Sequence, residues 1–397
     1  METKITFLGD IMCDNKMAES LELYKNCQTG KYDFSDCFRH VVDSFEASDY
    51  VLANLETPIS EDNSRLTKAL WTFTSPIEFA EAIKESGIDF VSTANNHCLD
   101  GGTEGIRSTI KSLNSIGLAH CGIQINNQNS CYIARIGPYR IGILSYTYGT
   151  NAFSNGCYLS RKNLMSVNLL QEQEGWIHNH INRILHGRGM RFVKRLELIL
   201  FPDNEGKNIY EKETVDFYRK YLIKKDIRRI RKKKVDLVIA YLHIGGQYNT
   251  VPSNYTKKTT EWFLNHGCDI VVDNHEHVIH GLKFEEKKLA AYALGNFLGS
   301  AGVTEPPYDR YCNYSIGLHV YLETEQAEIA KIAFSVYKTI ITREGKMEVW
   351  PAIELLELQI TEKEKNLLKK DILEVAFVFS GIRYYDVAEE FMIYKGL

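Results

Sequence analysis

No run of about 18 apolar residues occurs in this 397-residue chain, so no stretch is long enough to cross a bilayer as a helix. Cys-x-x-Cys pairs are missing too, and the nine cysteines follow no regular spacing, which excludes a zinc ribbon and a disulfide framework. Cys37, Cys121, Cys131 and Cys268 fall inside expected strands or helices, where a free thiol behaves as a small hydrophobe. There is no basic excess. With 47 Lys and Arg against 51 Asp and Glu, the net charge is -4, which argues against nucleic acid as the main partner because phosphate binding needs a basic face. The one basic run, Arg228 to Lys234, reads as the solvated end of a helix. No internal repeat and no low-complexity segment is visible, and no charged leader with an apolar core precedes Lys4 to Leu8. Together with the free thiols, this leads us to expect a reducing, cytoplasmic setting.

What is present is a set of apolar runs that stop at polar side chains. Asp269 to Val272 reads as a buried strand and delivers His275-Glu276-His277; in an extended segment residues i and i+2 point the same way, so both imidazoles could reach one point. A lone His-x-His also suits a solvated or core role. Four other strand ends have the same form. Lys4 to Leu8 closes in Gly9-Asp10; Tyr50 to Ala53 ends in Asn54-Leu55-Glu56; Ile88 to Thr93 delivers Asn95-Asn96-His97 with Asp100; Val235 to Leu242 ends in His243 and continues to Tyr248. Leu289 to Leu294 adds Asn296. The C-terminal ends of strands are where α/β sheets keep their ligands. Carboxylate and imidazole without thiolate suit Mn, Fe or Zn, and there are enough donors for two ions ~4 Å apart, which could activate a water between them.

The elements between these ends alternate strand and helix. Asp36 to Ala47 has helical periodicity, Ser75-Pro76 has a cap-then-proline signature, and Gly101-Gly102 permits a tight turn before a helix through Ile106, Ile110 and Leu113. From about Thr150 to Lys234 the pattern becomes helical, over Val167 to Leu185 and Val215 to Ile230, and we expect an insertion there that packs over the rim. His178, His180 and His186 within it lack metal-ligand spacing. Val235 to Leu242 is too uniformly apolar to be half exposed and should lie centrally. After Tyr311 the period becomes 2, as in antiparallel strands, with His319 in a structural role, and a helical tail begins at Thr361.

The ordered motifs Phe7 to Met12, Asn54 to Pro58, Ala94 to Gly101, Leu242 to Tyr248, His275 to Val278 and Leu294 to Phe297 resemble those of the CapA (poly-gamma-glutamate capsule synthesis protein) family, a branch of the calcineurin-like metallophosphoesterases. The resemblance covers roughly residues 4 to 300. It implies an α+β fold, a four-layer α/β/β/α sandwich with mixed sheets, spanning 1-340 with the insertion at 150-234, followed by a C-terminal strand and helical extension at 341-397. It implies metal ligation by Asp10, Glu56, Asn96, His243, His275 and His277, a catalytic role for His97 with Asp100, and substrate contacts from Asn54, Asn95, Tyr248 and Asn296. The chain departs from the phosphoesterase pattern at Met12, where Asp-x-His would place histidine, at Glu56 in place of Asp, and at Asn274 before the His-x-His. The implied cofactor is a pair of divalent ions, Mn, Fe or Zn. The implied activity is hydrolysis of a phosphoester or polyanionic substrate in capsule or poly-gamma-glutamate-type polymer biosynthesis. A gamma-glutamyl amide hydrolase and a non-catalytic assembly factor for a polymer synthase are the alternatives, each with possible polymer-synthesis partners.

Overall fold

The computed structural model describes residues 2–66, 72–125, 130–160, 162–171, 173, 215, 217–300, 311–323 and 327–396. Two mixed sheets face one another. The nine-stranded sheet runs in the order Met347–Pro351, Glu328–Ile341, Tyr314–Glu323, Thr3–Ile11, Tyr50–Leu55, Phe90–Ser92 and Ala119–Cys121, with Asn296–Leu298 beside the first strand and Phe391–Lys395 beside Glu328–Ile341. The six-stranded sheet runs Ile279–Glu285, Lys288–Leu294, Ile270–Asn274, Leu237–His243, Tyr139–Thr147 and Cys131–Ile136. Thr3–Ile11 through Ala119–Cys121 pair in parallel, whereas the strands after Tyr311 pair antiparallel, as their period-2 pattern requires.

The packing defines four layers. Alternate residues of the strands face inward: Ile5, Phe7, Leu52 and Phe90 meet Ile143, Ile239, Tyr241, Val272 and Ala291 in the core between the sheets. Their neighbours Leu8, Val51, Ala53 and Val91 face outward against a helical layer that includes Ile77–Glu85. On the far side Val238, Ala240, Leu242 and Val271 pack under Phe217–Arg231 and Asn254–Asn265. Leu237–His243 therefore lies centrally and is buried along its whole length, which is why its sequence is uniformly apolar. The Tyr241 hydroxyl crosses the core and donates to the Leu8 carbonyl, and lies 3.3 Å from that of Leu52, tying one sheet to the other.

Several expectations need correction. Asp36 to Ala47 is not one helix but two short ones, Ser35–Phe38 and Val42–Glu46, separated by a turn in which the Val41 N–H bonds the Phe38 carbonyl, three residues back instead of four, at 3.0 Å. Ser75 and Pro76 form a short strand paired with Ile59–Ser60; the Ser75 hydroxyl bonds Thr57 at 2.7 Å instead of capping the helix, and Pro76 itself stands at the cap. Val167 and Leu169 form bridges to Ile123 and Thr147 and are not helical, because their backbone groups complete the edge beside those strands. The remainder of the expected first insertion helix, with His178, His180 and His186, lies outside the described residues. The charged helix is present as Phe217–Arg231, and Glu362–Ser380 begins with a capping box between Thr361 and Glu364. Its apolar stripe, Leu368, Ile372, Val375, Ala376 and Phe379, joins the core between the sheets.

Candidate metal centre

Parallel strands from both sheets end at one rim, and at one point the sheets touch. The chain leaves Lys288–Leu294 in one sheet, turns at Gly295, and enters Asn296–Leu298 in the other. Gly295 has φ +78, and a Cβ on Gly9 would lie 1.8 Å from the Gly295 carbonyl oxygen. Only glycine permits that approach, and it places Asp10 opposite both Asn54 and Asn296.

The side chains at these ends converge. Asp10 Oδ1 accepts from Asn54 Nδ2 at 2.7 Å, and Oδ2 accepts from the His275 backbone N–H at 3.1 Å. His243 Nε2, from the opposite sheet, lies 2.8 Å from Asn96 Oδ1 and 3.3 Å from Glu56 Oε1. His277 Nδ1 lies 2.8 Å from Asn296 Oδ1 and 3.5 Å from Asp10 Oδ2. The His243 and His275 rings are 4.6 Å apart, and those of His275 and His277 5.7 Å. The reason for that last convergence differs from the extended-pleat argument. The strand ends at Asn274, and His275 and His277 take left-handed φ of 99 and 57. Such backbone is strained for non-glycine residues and persists where the surroundings over-determine it.

The donor set fits a cation. Glu56 is fully buried, and both its carboxylate oxygens lack a hydrogen-bond partner, as does Asn96 Nδ2. A buried carboxylate without hydrogen bonds is costly, so Glu56 calls for positive charge, part of which a protonated His277 can supply. One ligand atom each from Glu56, His275 and His277 lie within 4.8 Å of one another, and so do those of Asp10, Glu56 and His243. The two groups share Glu56. Burial would raise the Asp10 carboxyl, but the neighbouring His277 and His243 hold it below its ordinary value. Burial, then His243, His277 and His97, press His275 well below the usual imidazole range, leaving a neutral ring with a lone pair to give. Burial opposes charge on His277 as well, yet Glu56 and Asp10 raise it to about 9, so a cation would have to displace a proton there.

Beside this cluster His97 Nδ1 donates to Asp100 Oδ2 at 2.7 Å, and its ring stacks on Phe73 at 4.0 Å. The Asn95 amide donates to the Leu55 carbonyl at 2.7 Å and lies 3.4 Å from Asn54 Oδ1, while Asn54 bonds Asp10; both are fully buried and committed to partners within the protein. The Tyr248 ring stands 5.7 Å from that of His277, on a residue with φ 61. Met12 is buried, with its terminal methyl against Gly299. Phe73, Tyr148 (its ring 4.7 Å from His275) and Asn155 are neighbours of the site that no local pattern announces. A strand-end rule finds only residues at strand ends.

The fold and site thus define a two-sheet sandwich with a buried carboxylate–imidazole cluster compatible with metal binding. The family described as "Bacterial capsule synthesis protein PGA_cap" matches residues 4–301, and the chain belongs to that family. It is 26% identical over 305 residues to "Capsule biosynthesis protein CapA" of Bacillus anthracis, covering 76% of this chain and 60% of that protein. It is 22% identical over 304 residues to "PGA biosynthesis protein CapA" of Bacillus subtilis, covering 75% of this chain and 64% of that protein. The chain therefore spans under two thirds of the length of these relatives. Similar solved structures include a putative 5'-nucleotidase from Staphylococcus aureus, with TM-score 0.42, 11% identity, and coverage of 93% of this chain and 58% of that one. The sulfate thiohydrolase SoxB of Thermus thermophilus gives TM-score 0.39, 10% identity, and coverage of 92% and 59%.

Proposed function

We propose that this chain is a metal-dependent hydrolase that acts on a phosphoester or polyanionic substrate in capsule or poly-gamma-glutamate-type polymer biosynthesis, in the cytoplasm and beside polymer-synthesis partners. The observation that carries the reading is Glu56, a buried carboxylate without hydrogen-bond partners, shared by two ligand groups drawn from both sheets. Asp10, Glu56, Asn96, His243, His275 and His277 would hold one or two Mn, Fe or Zn ions, which when bound supply Lewis acidity toward the scissile group and lower the pKa of an attacking water. His97 is the group placed for proton transfer. Asp100 holds the Nδ1 hydrogen and Phe73 the ring plane, so that when the ring is protonated on both nitrogens the Nε2 hydrogen is the one free to pass to a leaving oxygen. Asn296 and Tyr248 would meet the substrate, with Asn54 and Asn95 supporting them from beneath.

The test is reconstitution of the purified chain with Mn, Fe or Zn, metal analysis after dialysis, and assay against phosphomonoesters, phosphodiesters and gamma-glutamyl polymer. Stoichiometric metal with phosphoester turnover is expected. Turnover of the polymer alone would replace the reading with an amide hydrolase, metal without turnover would replace it with an assembly factor, and failure to retain metal would remove it.

A further inference from the structure

Asp100 is held from three directions. Its carboxylate is fully buried, and Oδ2 accepts from His97 Nδ1 at 2.7 Å and from the Phe73 backbone N–H at 2.8 Å. The third donor is Asn155 Nδ2, 3.0 Å from Oδ1. Asn155 lies 55 positions away, at the end of the short helix Ala152–Asn155, flanked by left-handed Asn151 and Gly156. Its amide also donates to the Thr150 carbonyl at 3.1 Å, and its Oδ1 accepts the Cys157 N–H at 2.9 Å. The segment that carries it is built on the sheets: Gln124 N–H donates to the Ser166 carbonyl at 2.8 Å, Asn168 N–H to Gly122 at 2.9 Å, and Leu170 N–H to Thr147 at 2.8 Å. Gln173 closes it on itself, donating to the Thr150 hydroxyl at 2.6 Å and accepting from Leu159 N–H at 2.8 Å.

We infer that Asn155 is a positioning residue through which this strap sets the orientation and tautomer of His97. An ionised carboxylate only accepts, so the His97 nitrogen that faces Asp100 must carry hydrogen, and the other nitrogen is the one available to the centre. Which nitrogen that is depends on where Oδ2 points. The Phe73 N–H and the Asn155 amide each occupy one oxygen of Asp100 and so fix the rotation of its carboxylate about Cβ–Cγ. Without Asn155, Oδ1 loses the side-chain amide that holds it, the carboxylate can turn, and His97 can swap nitrogens or leave the Phe73 face. The hydrogen bonds of the Asn155 side chain go to Asp100, Thr150 and Cys157, and of these Asp100 is the one that reaches His97. The inference rests on the role of His97 given above.

The test uses the full-length, metal-free chain labelled with ¹⁵N at histidine, at one fixed pH, with the His97 signals assigned by their loss in His97→Ala. Asn155→Ser keeps a hydroxyl able to accept the Cys157 N–H, as a Ser turn does, but is too short to reach Asp100. Asn155→Leu keeps the bulk and removes the donor. Gln173→Ala loosens the strap without touching Asp100. We expect the protonated-Nδ1 signature of His97 in the native chain and in Gln173→Ala, and a mixture of tautomers in both Asn155 variants. In the Mn-loaded protein, turnover of bis(p-nitrophenyl) phosphate should fall about 10- to 100-fold in kcat for the Asn155 variants, the effect of losing one hydrogen bond to a charged group, with KM and metal content unchanged. A native His97 signature in Asn155→Ser or Asn155→Leu, or the same loss in Gln173→Ala, overturns the inference. A native chain that binds metal but hydrolyses none of the esters would defeat the hydrolase reading, while the ring-nitrogen signals still decide the role of Asn155.

Discussion

Glu56 and His97 sit a few residues from the same rim and do opposite things to it. Glu56 brings buried negative charge without a hydrogen bond to spread it, so Glu56→Gln should abolish retention of divalent metal after dialysis. In the metal-free chain the protonated His277 ring offsets part of that charge, so Glu56→Gln should also lower the pKa of His277; a His277 titration unchanged from the native chain would show that Glu56 is not its partner. His97 has a partner on Nδ1 and belongs to neither group of converging ligand atoms, so His97→Ala should keep its metal and lose about 10²- to 10⁴-fold in rate, the range for general acid catalysis. Equal metal loss in His97→Ala and His275→Ala would refute that division. Asp10, Glu56, His243 and the His-x-His are legible in the sequence because each ends an apolar run, and a strand end has a direction. Asn155 and Phe73 are not, since their relation to His97 is made by tertiary contact between loops and leaves no spacing to read.

At the scale of elements, strands are legible wherever both faces are buried, as in Leu237–His243, and much less so where burial fades along the strand, as in Ile279–Glu285, which turns outward after His280. Sheet membership is not legible at all, because a parallel strand of either sheet carries the same apolar pattern. What joins the elements can still be tested. Gly9→Ala would drive a Cβ into the Gly295 carbonyl, so it should cost at least about 3 kcal/mol or prevent folding, and a urea midpoint within error of the native one would show that the two sheets do not meet there. The C-terminal segment is tied by charge. Glu390 lies 3.1 Å from Lys4, 2.8 Å from Lys331, and accepts from the Tyr321 hydroxyl at 2.6 Å. Burial would raise its carboxyl, but Lys331, Tyr321, His319 and Lys4 hold it down at about 2, against 4.5 for a free glutamate. A depressed pKa contributes stability that is complete above 4.5 and is lost as pH falls toward 2. Glu390→Gln should therefore be less stable than the native chain by about 1–2 kcal/mol at neutral pH, after allowance for solvent screening, with the gap closing between those two values in melting curves taken across pH. A gap that stays constant in acid would assign the loss to packing.

The whole molecule turns on the fact that neither group of converging donor atoms is drawn from a single sheet. Asp10 and Glu56 come from the nine-stranded sheet and its following turn, His243 from the six-stranded one, and their ligand atoms lie within 4.8 Å of one another. A cation held by these groups would draw on both halves of the sandwich and on the folded chain only, so at 100 times its Kd it should raise stability by about 2.7 kcal/mol. The increment belongs to both sheets at once. We therefore expect Asp10→Ala to abolish the Mn-induced rise in melting temperature, His243→Ala to abolish it equally, and the double variant to lose no more than either single one. That is the non-additivity of groups acting as a unit, read here as the difference between melting with and without metal, so that any cavity left by the substitutions cancels. If each single variant keeps part of the rise and the losses add in the double variant, each sheet holds its own ion independently, and the picture of one centre closed between two sheets is wrong.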